Sequence, residues 1–120
     1  MAKTKSSTDQ LIAHIIEGLE NSKGIDIKLL DLREIENSIC DYFIICSGTS
    51  NTHVDSLASS VQKNVSKNTK EKPWHTEGEQ MAQWILLDYI DVVVHVFQKS
   101  TREHYDLEGL WGDSKFTSFS

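Results

Sequence analysis

The sequence predicts an α/β domain in which helices pack around a β-sheet. The main observation is the stretch WILLDYIDVVVHVF, the most apolar and β-branched run of the chain. Its two halves, Trp84–Leu87 and Val92–Phe97, flank a short polar turn, which predicts a β-hairpin. The second half is apolar on both alternating faces except at His95, as in a central strand covered on both sides. Apolar residues at helical spacing elsewhere would supply the covering helices.

The N-terminal part predicts a helix followed by a strand. The apolar positions at helical spacing are Leu11, Ile12, Ile15, Ile16 and Leu19. Ser7–Gln10 fits a capping box, which predicts where this helix begins, and Gly24 predicts where it ends. Ile25–Leu32 begins with alternating apolar and polar residues, so we expect a half-exposed strand near a sheet edge. Arg33–Ser38 then forms a polar connection.

A second strand and helix follow. Tyr42–Cys46 has no polar alternation and predicts a buried strand. The turn Ser47–Asn51 leads into a helix whose apolar face consists of Val54, Leu57, Ala58, Val61 and Val65. This turn has one glycine and lacks the phosphate-binding motifs, which favours a plain helix cap over a phosphate site. Ser66–Pro73 is polar and predicts a mobile loop, and Trp74–Glu77 predicts a short strand.

After the hairpin, the sequence predicts one more helix and a loose end. Ser100–Glu103 fits a second capping box. The apolar residues of that helix would be Tyr105, Leu107, Leu110 and Trp111. Ser114–Ser120 has no clear pattern and predicts a loose tail. We therefore expect one domain over residues 1–120, with a core at about 8–113 and flexible termini.

Charge and composition narrow the class of partner. The net charge is −6, and residues 71–113 hold nine acidic and three basic residues. An acidic half disfavours binding to a phosphate backbone and fits a basic protein partner, although acidity can also serve solubility alone. The sequence has no secretory signal, and no apolar run long enough for a membrane span. Cys40 and Cys46 do not form a disulfide framework, which predicts a cytoplasmic location.

The most enzyme-like residues are Asp88, Asp91 and His95. The two aspartates lie at opposite ends of the turn, and His95 lies about 13 Å along a strand, so turn and structural roles explain them better. No nucleophile motif or metal-ligand spacing is present, and we expect no catalytic residue, metal or cofactor. Trp84 lies between Glu79 and Asp88, a pattern that fits either a core residue or the anchor of a protein interface.

Three blocks in this order resemble the ribosomal silencing factor, or Iojap, family: Asp41–Val54, Gly78–Phe97 and Tyr105–Trp111. The resemblance runs from about Thr8 to Asp113. It implies a small mixed β-sheet flanked by helices, related to the nucleotidyltransferase fold. It also implies a cytoplasmic, non-enzymatic protein that binds ribosomal protein uL14 on the large subunit, blocks joining of the small subunit and represses translation. Family members often form homodimers when free.

The resemblance also implies which residues face uL14. The family's G-E-x4-W and L-D-x-x-D elements match residues 78–84 and 87–91. The expected partner-binding set is Glu79, Met81, Trp84, Leu86, Asp88, Tyr89, Ile90 and Asp91. The family often has glycine where this chain has Ile90. Because a β-branched residue tolerates a positive φ poorly, we expect either a different turn type or additional apolar contact area.

Two other functions compete with this one. A degenerate nucleotidyltransferase-like protein would bind nucleotide near Gly48, but it needs an acidic pair there, and the chain contains no Asp-x-Asp. Direct RNA binding is disfavoured because the sequence shows no basic patch. Heat on titration with nucleotide and Mg²⁺ would support the first alternative.

Overall fold

The computed structural model describes residues 5–36, 38–112 and 114–119, and the side chains of these residues from Ser7 onward. Its helices and strands follow in the order α1 (Lys5–Asn21), β1 (Ile25–Asp31), β2 (Tyr42–Gly48), α2 (Asn51–Thr69), β3 (His75–Glu77), β4 (Trp84–Asp88), β5 (Val92–Gln98), α3 (Lys99–Tyr105), α4 (Leu107–Leu110) and β6 (Lys115–Ser118). Of the expected flexible start before residue 8, residues 1–4 lie outside the described residues, as does Asp113, and Lys5–Ser7 belong to α1.

All six strands form one mixed sheet in the order β3-β4-β5-β2-β1-β6. β2 and β5 run parallel, and every other pair is antiparallel. β2 is buried throughout, and β5 is buried from Val92 to Phe97. Both strands lie inside the sheet, as their apolar character on both faces requires. The predicted α/β class, the hairpin and its central strand are confirmed.

The sheet has two differently covered faces. α1 and α2 pack on the first face, where α2 buries the five apolar residues expected from its sequence. The second face carries a smaller cluster that includes Phe43, Phe97 and Leu107, with Trp84 and Leu86 packed partly against it. Successive residues of a strand point to opposite faces. β4 therefore buries its intervening residues under the helices and leaves Trp84 and Leu86 half-buried on the second face.

Several predicted helix boundaries are wrong. α1 begins before Ser7–Gln10, so that segment lies inside the helix instead of capping it. At its other end Lys23, with φ 61°, takes the left-handed position that we expected of Gly24. α3 follows Gln98, which forms no side-chain cap, so Ser100–Glu103 is not a capping box either. A motif over four residues cannot fix a boundary when tertiary packing extends the helix beyond it.

The C-terminal part also departs from its prediction. α2 continues to Thr69, so half of the expected loop Ser66–Pro73 is helical. Asp106 has φ 45° and divides the expected last helix into α3 and α4. Within the expected loose tail, Lys115–Ser118 form β6, which pairs with β1 through residues such as Phe116 and Leu30. β1 is therefore an inner strand, because β6 takes up the edge hydrogen bonds that β1 would otherwise expose.

No helix within the described ranges is both long and apolar enough to cross a membrane.

Candidate protein-binding site

One exposed surface lies on the second face of the sheet along β4. Trp84, Leu86 and Asp88 occupy alternate positions of β4 and so project from this face. Met81 and Tyr105 line one cavity of about 340 Å³ together with Trp84. We call these five residues the β4 face. Met81 is 69% exposed and Tyr105 52%, so the β4 face offers apolar area to solvent.

Trp84 is held in one orientation by several contacts. Its indole Nε1 donates a hydrogen bond to Nδ1 of His95 at 3.1 Å. Its ring stacks on Phe97, its cross-strand partner, with centroids 4.8 Å apart, and lies 4.9 Å from the Tyr105 ring. Trp84 thus has one side in the core and one toward solvent. The core interpretation of its sequence pattern is confirmed for the buried side, and the role of an interface anchor stays a prediction for the exposed side.

His95 supports Trp84 from inside the protein. It is 4% exposed, and burial lowers its pKa to about 3, so the ring is neutral at physiological pH. Because Nδ1 accepts from Trp84, the proton lies on Nε2, which is buried without a hydrogen-bond partner. The Phe43 ring packs edge-to-face against His95 at 4.6 Å. The expected structural role of His95 holds, but only one of its two nitrogens has a hydrogen-bond partner.

Tyr105 is a surface residue that the sequence did not single out for binding. It was expected in an amphipathic helix, yet it ends α3 and contacts Trp84 across 21 positions of sequence. Leu110, also expected on the apolar side of that helix, is 75% exposed. The one signal in the sequence for Tyr105 was that it opens the block Tyr105–Trp111, one of the three that resemble the family. That block does not indicate which part of the sheet Tyr105 contacts.

The backbone geometry at the start of the β4 face explains why the motif element Gly78-Glu79 begins with glycine. Gly78 has φ 83°, and a Cβ there would collide with the backbone carbonyl oxygen of Trp84. Only glycine allows this close approach. Thr76 Oγ1 donates to a carboxylate oxygen of Glu79, which holds this exposed acid beside β3. Glu79 therefore lies at the margin of the surface anchored by Trp84.

The hairpin tip, Tyr89–Asp91, closes the other end of β4. The amide of Asp91 donates to the Tyr89 carbonyl at 3.0 Å, which makes a three-residue γ-turn centred on Ile90. Ile90 has φ 77° and is 60% exposed. Asp88 Oδ1 accepts from the Ile90 amide at 2.7 Å and so helps to hold the turn. Of the two alternatives expected at Ile90, a turn that avoids positive φ is wrong, because Ile90 takes the strained conformation. Its side chain is presented to solvent, so additional apolar contact area stays a prediction.

Tyr89 does not belong to the exposed surface. Its side chain is 2% exposed and lies in the cluster under α1 and α2. Its hydroxyl is buried without a hydrogen-bond partner, and burial raises its pKa. The expected partner-binding role of Tyr89 is therefore incompatible with this conformation. The reason is strand geometry, because Tyr89 continues the alternation of β4 and points to the face opposite Asp88.

The structure does not assemble a catalytic centre from the candidate residues. His95 pairs with Leu86, and the Asp88 carboxylate is engaged in the turn. Within the described residues no group of three or more His, Cys, Asp or Glu could hold a metal ion. Burial raises the pKa of Cys40 and Cys46 to about 12, so neither is a ready nucleophile.

The turn after β2 also lacks the properties of a phosphate site. Ser50 caps α2 by accepting from the His53 amide, as expected. A cavity of about 670 Å³ lies beside Gly48, but its buried cation, Arg102, donates to Glu108, Ser47 and the Asp26 carbonyl.

Acidic side chains dominate the lining of this cavity. Four acidic and two basic residues line it. Burial alone would raise the pKa of Glu108, but contacts with Arg102 and Lys28 outweigh it and lower that pKa. Arg102 is thus committed to protein partners, and the acids outnumber the bases of the lining, which disfavours a nucleotide here.

Comparisons with known proteins agree with this structure. Residues 5–119 match the family model described as "Ribosomal silencing factor during starvation". The chain is 35% identical over 108 residues to the ribosomal silencing factor of Halalkalibacterium halodurans, covering 90% of this chain and 91% of that protein. A crystal structure of a Chromobacterium violaceum protein superposes with a TM-score of 0.81 at 38% identity, covering 87% of this chain and 85% of that one.

A relative from an animal is also similar. The Mus musculus protein named "Mitochondrial assembly of ribosomal large subunit protein 1" is 36% identical over 74 residues, which cover 59% of this chain and 32% of that protein. The family match spans nearly the whole chain, and the bacterial relatives are similar over most of their own length. The chain therefore belongs to the ribosomal silencing factor family.

Proposed function

We propose that this chain is a cytoplasmic binding protein that docks on ribosomal protein uL14 of the large ribosomal subunit. Bound there, it would occlude the surface that the small subunit needs for joining, and translation would fall. The observation that carries this proposal is the β4 face, a rigid half-buried tryptophan with exposed apolar neighbours, which lies between Glu79 at one end and Asp88 at the other. The name of the mouse relative, which refers to the large subunit, supports the choice of subunit.

The β4 face has the composition of a protein interface. Trp84 is held by its hydrogen bond and ring contacts, so binding would cost little side-chain entropy. Met81 and Tyr105 supply exposed apolar area around it. Glu79 and Asp91 add negative charge, which would steer a basic partner and fix its orientation.

Ile90 would extend this surface at the hairpin tip, and Tyr89 would not contact the partner. Trp84 and Asp88 lie about 13 Å apart on the same strand, at about 3.3 Å per residue. The anchor and the tip are therefore two separate contact regions on one side of the domain. A partner would need to cover both to use the whole surface.

Calorimetry with purified uL14 tests the anchor. We expect Trp84→Ala to weaken binding by at least about 2 kcal/mol, or roughly 30-fold in Kd, because it removes the central aromatic. Phe116→Ala is the matched control, since Phe116 is a partly exposed aromatic on the opposite edge strand β6. Circular dichroism would verify that both variants are folded. Equal affinity of Trp84→Ala and Phe116→Ala would refute the assignment.

The family resemblance also implies a homodimer for the free chain. Sedimentation velocity over a range of protein concentrations would test it, and a single monomeric species at the highest concentration would contradict it.

A further inference from the structure

A second surface differs from the β4 face in charge and position. A groove of about 660 Å³ lies between the C-terminal half of α2 and the segment that leads into β3. Lys63, Lys67 and Lys72 line it together with Ser66, and no carboxylate contributes to its lining. We call these four residues the lysine groove. A basic groove free of acids is notable in a chain whose net charge is −6.

The three lysines are available to a ligand. Lys63 and Lys67 lie one helical turn apart, at about 6 Å, on the same side of α2. All three are exposed, and none forms an ion pair within the part of the chain that the structure describes. Three like charges around one concavity repel one another, so the arrangement favours a bound polyanion.

The lysine groove could not be predicted from the sequence, for two reasons. The segment around Lys67 was expected to be a mobile loop, so its residues had no common face. The charge count also grouped Lys72 with the acids that follow it. Because α2 continues to Thr69, Lys67 instead lies on the same helix face as Lys63. The sequence led us to expect no basic patch, and this expectation is therefore wrong.

The lysine groove lies next to the proposed uL14 surface. The amide of Trp74 donates to the Asp88 carbonyl, and Thr76, which also lines the groove, pairs with Leu87 of β4. The groove is on the helix-covered side of this sheet edge, and the β4 face is on the other side. A partner that meets the edge at β3 could contact both surfaces.

We propose that the lysine groove binds the phosphate backbone of ribosomal RNA adjacent to the docked ribosomal protein. This inference rests on the proposed function, because a large-subunit partner presents RNA and protein side by side. The ammonium groups would replace counterions on neighbouring phosphates, and the Ser66 hydroxyl would donate to a phosphate oxygen. No base edge is read, so the contact adds affinity without sequence specificity.

The test compares two triple variants with equal charge change. The first is Lys63→Gln, Lys67→Gln and Lys72→Gln. The control is Lys23→Gln, Lys99→Gln and Lys115→Gln, which removes three exposed lysines elsewhere. Binding to purified large subunits is measured over a range of KCl concentrations, and binding to isolated uL14 is measured in parallel. Log affinity falls with log salt, and we expect the first variant to reduce the magnitude of this slope by about 2 to 3, since each phosphate contact contributes about 0.7 to 0.9. The control should keep the wild-type slope, and all three proteins should bind isolated uL14 alike.

Each other outcome has a distinct meaning. Equal slopes for both variants would overturn the RNA contact and leave the proposed function standing. Loss of isolated uL14 binding in the first variant only would overturn it as well, because the lysines would then contact protein. Failure of wild-type protein to bind large subunits would refute the proposed function itself, and this inference with it.

Discussion

Replacing Ile90 by glycine should stabilise the fold although it removes an apolar side chain. Ile90 is held at φ 77° in the γ-turn of the hairpin tip. A non-glycine residue in such a sparsely populated region costs on the order of 1–3 kcal/mol. Glycine relieves that strain, but it loses about 0.5–1 kcal/mol in backbone entropy and a small amount of burial. The net expectation is a free energy of unfolding raised by up to about 2 kcal/mol.

The matched control is Ile39→Gly. Ile39 is also an exposed isoleucine outside helices and strands, at 75% against 60%, but it does not have a positive φ. Glycine should therefore destabilise that position by about 0.5–1 kcal/mol from entropy alone. The difference between the two changes in the free energy of unfolding isolates the backbone strain at Ile90, because the entropy and burial terms nearly cancel. The difference between the variants should be on the order of 1–3 kcal/mol.

Urea unfolding followed by tryptophan fluorescence measures this difference. The midpoint should rise for Ile90→Gly and fall for Ile39→Gly, with unchanged m-values. If Ile90→Gly destabilises the protein as much as Ile39→Gly, the strained turn is not a property of the molecule in solution. The same variant, Ile90→Gly, also tests whether Ile90 takes part in binding uL14. If the Ile90 side chain contacts uL14, Ile90→Gly should bind more weakly while being more stable, which is a combination that a folding defect cannot produce.

Two further predictions concern the support of Trp84. The pKa of His95 is about 3 in the folded protein and 6.5 in the unfolded chain, so between these pH values only the unfolded state binds the proton. The free energy of unfolding should therefore fall by on the order of 4 kcal/mol from pH 6.5 to pH 3. His95→Gln should flatten that slope in pH-dependent urea titrations, and an unchanged slope would contradict burial as the cause. Gly78→Ala should lower the thermal midpoint by more than about 5 °C, because its Cβ meets the Trp84 carbonyl. Exposed Gly112→Ala is the control, and equal small shifts would refute the close approach.

The parts of the fold that follow from local patterns were predicted well. Val92–Phe97 is apolar on both faces apart from His95, and that alone placed it inside the sheet. The buried face of α2 followed from residues three and four apart, because a helix repeats every 3.6 residues. The segment Lys115–Ser118 gave no such signal. It becomes β6 because the edge of β1 offers backbone hydrogen bonds, and these do not depend on side-chain pattern.

The site was predictable only in part, for the same reason. Trp84, Glu79 and Asp91 could be named as candidates because they lie in a compact motif, and their role in binding stays a prediction. Tyr105 could not, since its contact with Trp84 depends on how α3 packs on the sheet. Tyr89 was assigned to the surface because the motif runs through it. Strand alternation, once the bounds of β4 are known, directs it into the core.

The proposed function requires that binding of this chain to the large subunit prevents subunit joining. Purified large and small subunits are mixed with and without the protein, and the products are separated on a sucrose gradient. We expect the protein to migrate with the large subunit and the peak of joined ribosomes to fall as protein is added. Trp84→Ala at the same concentration should leave that peak nearly intact. A joined-ribosome peak that is unchanged by a saturating amount of the wild-type protein would refute the proposed function.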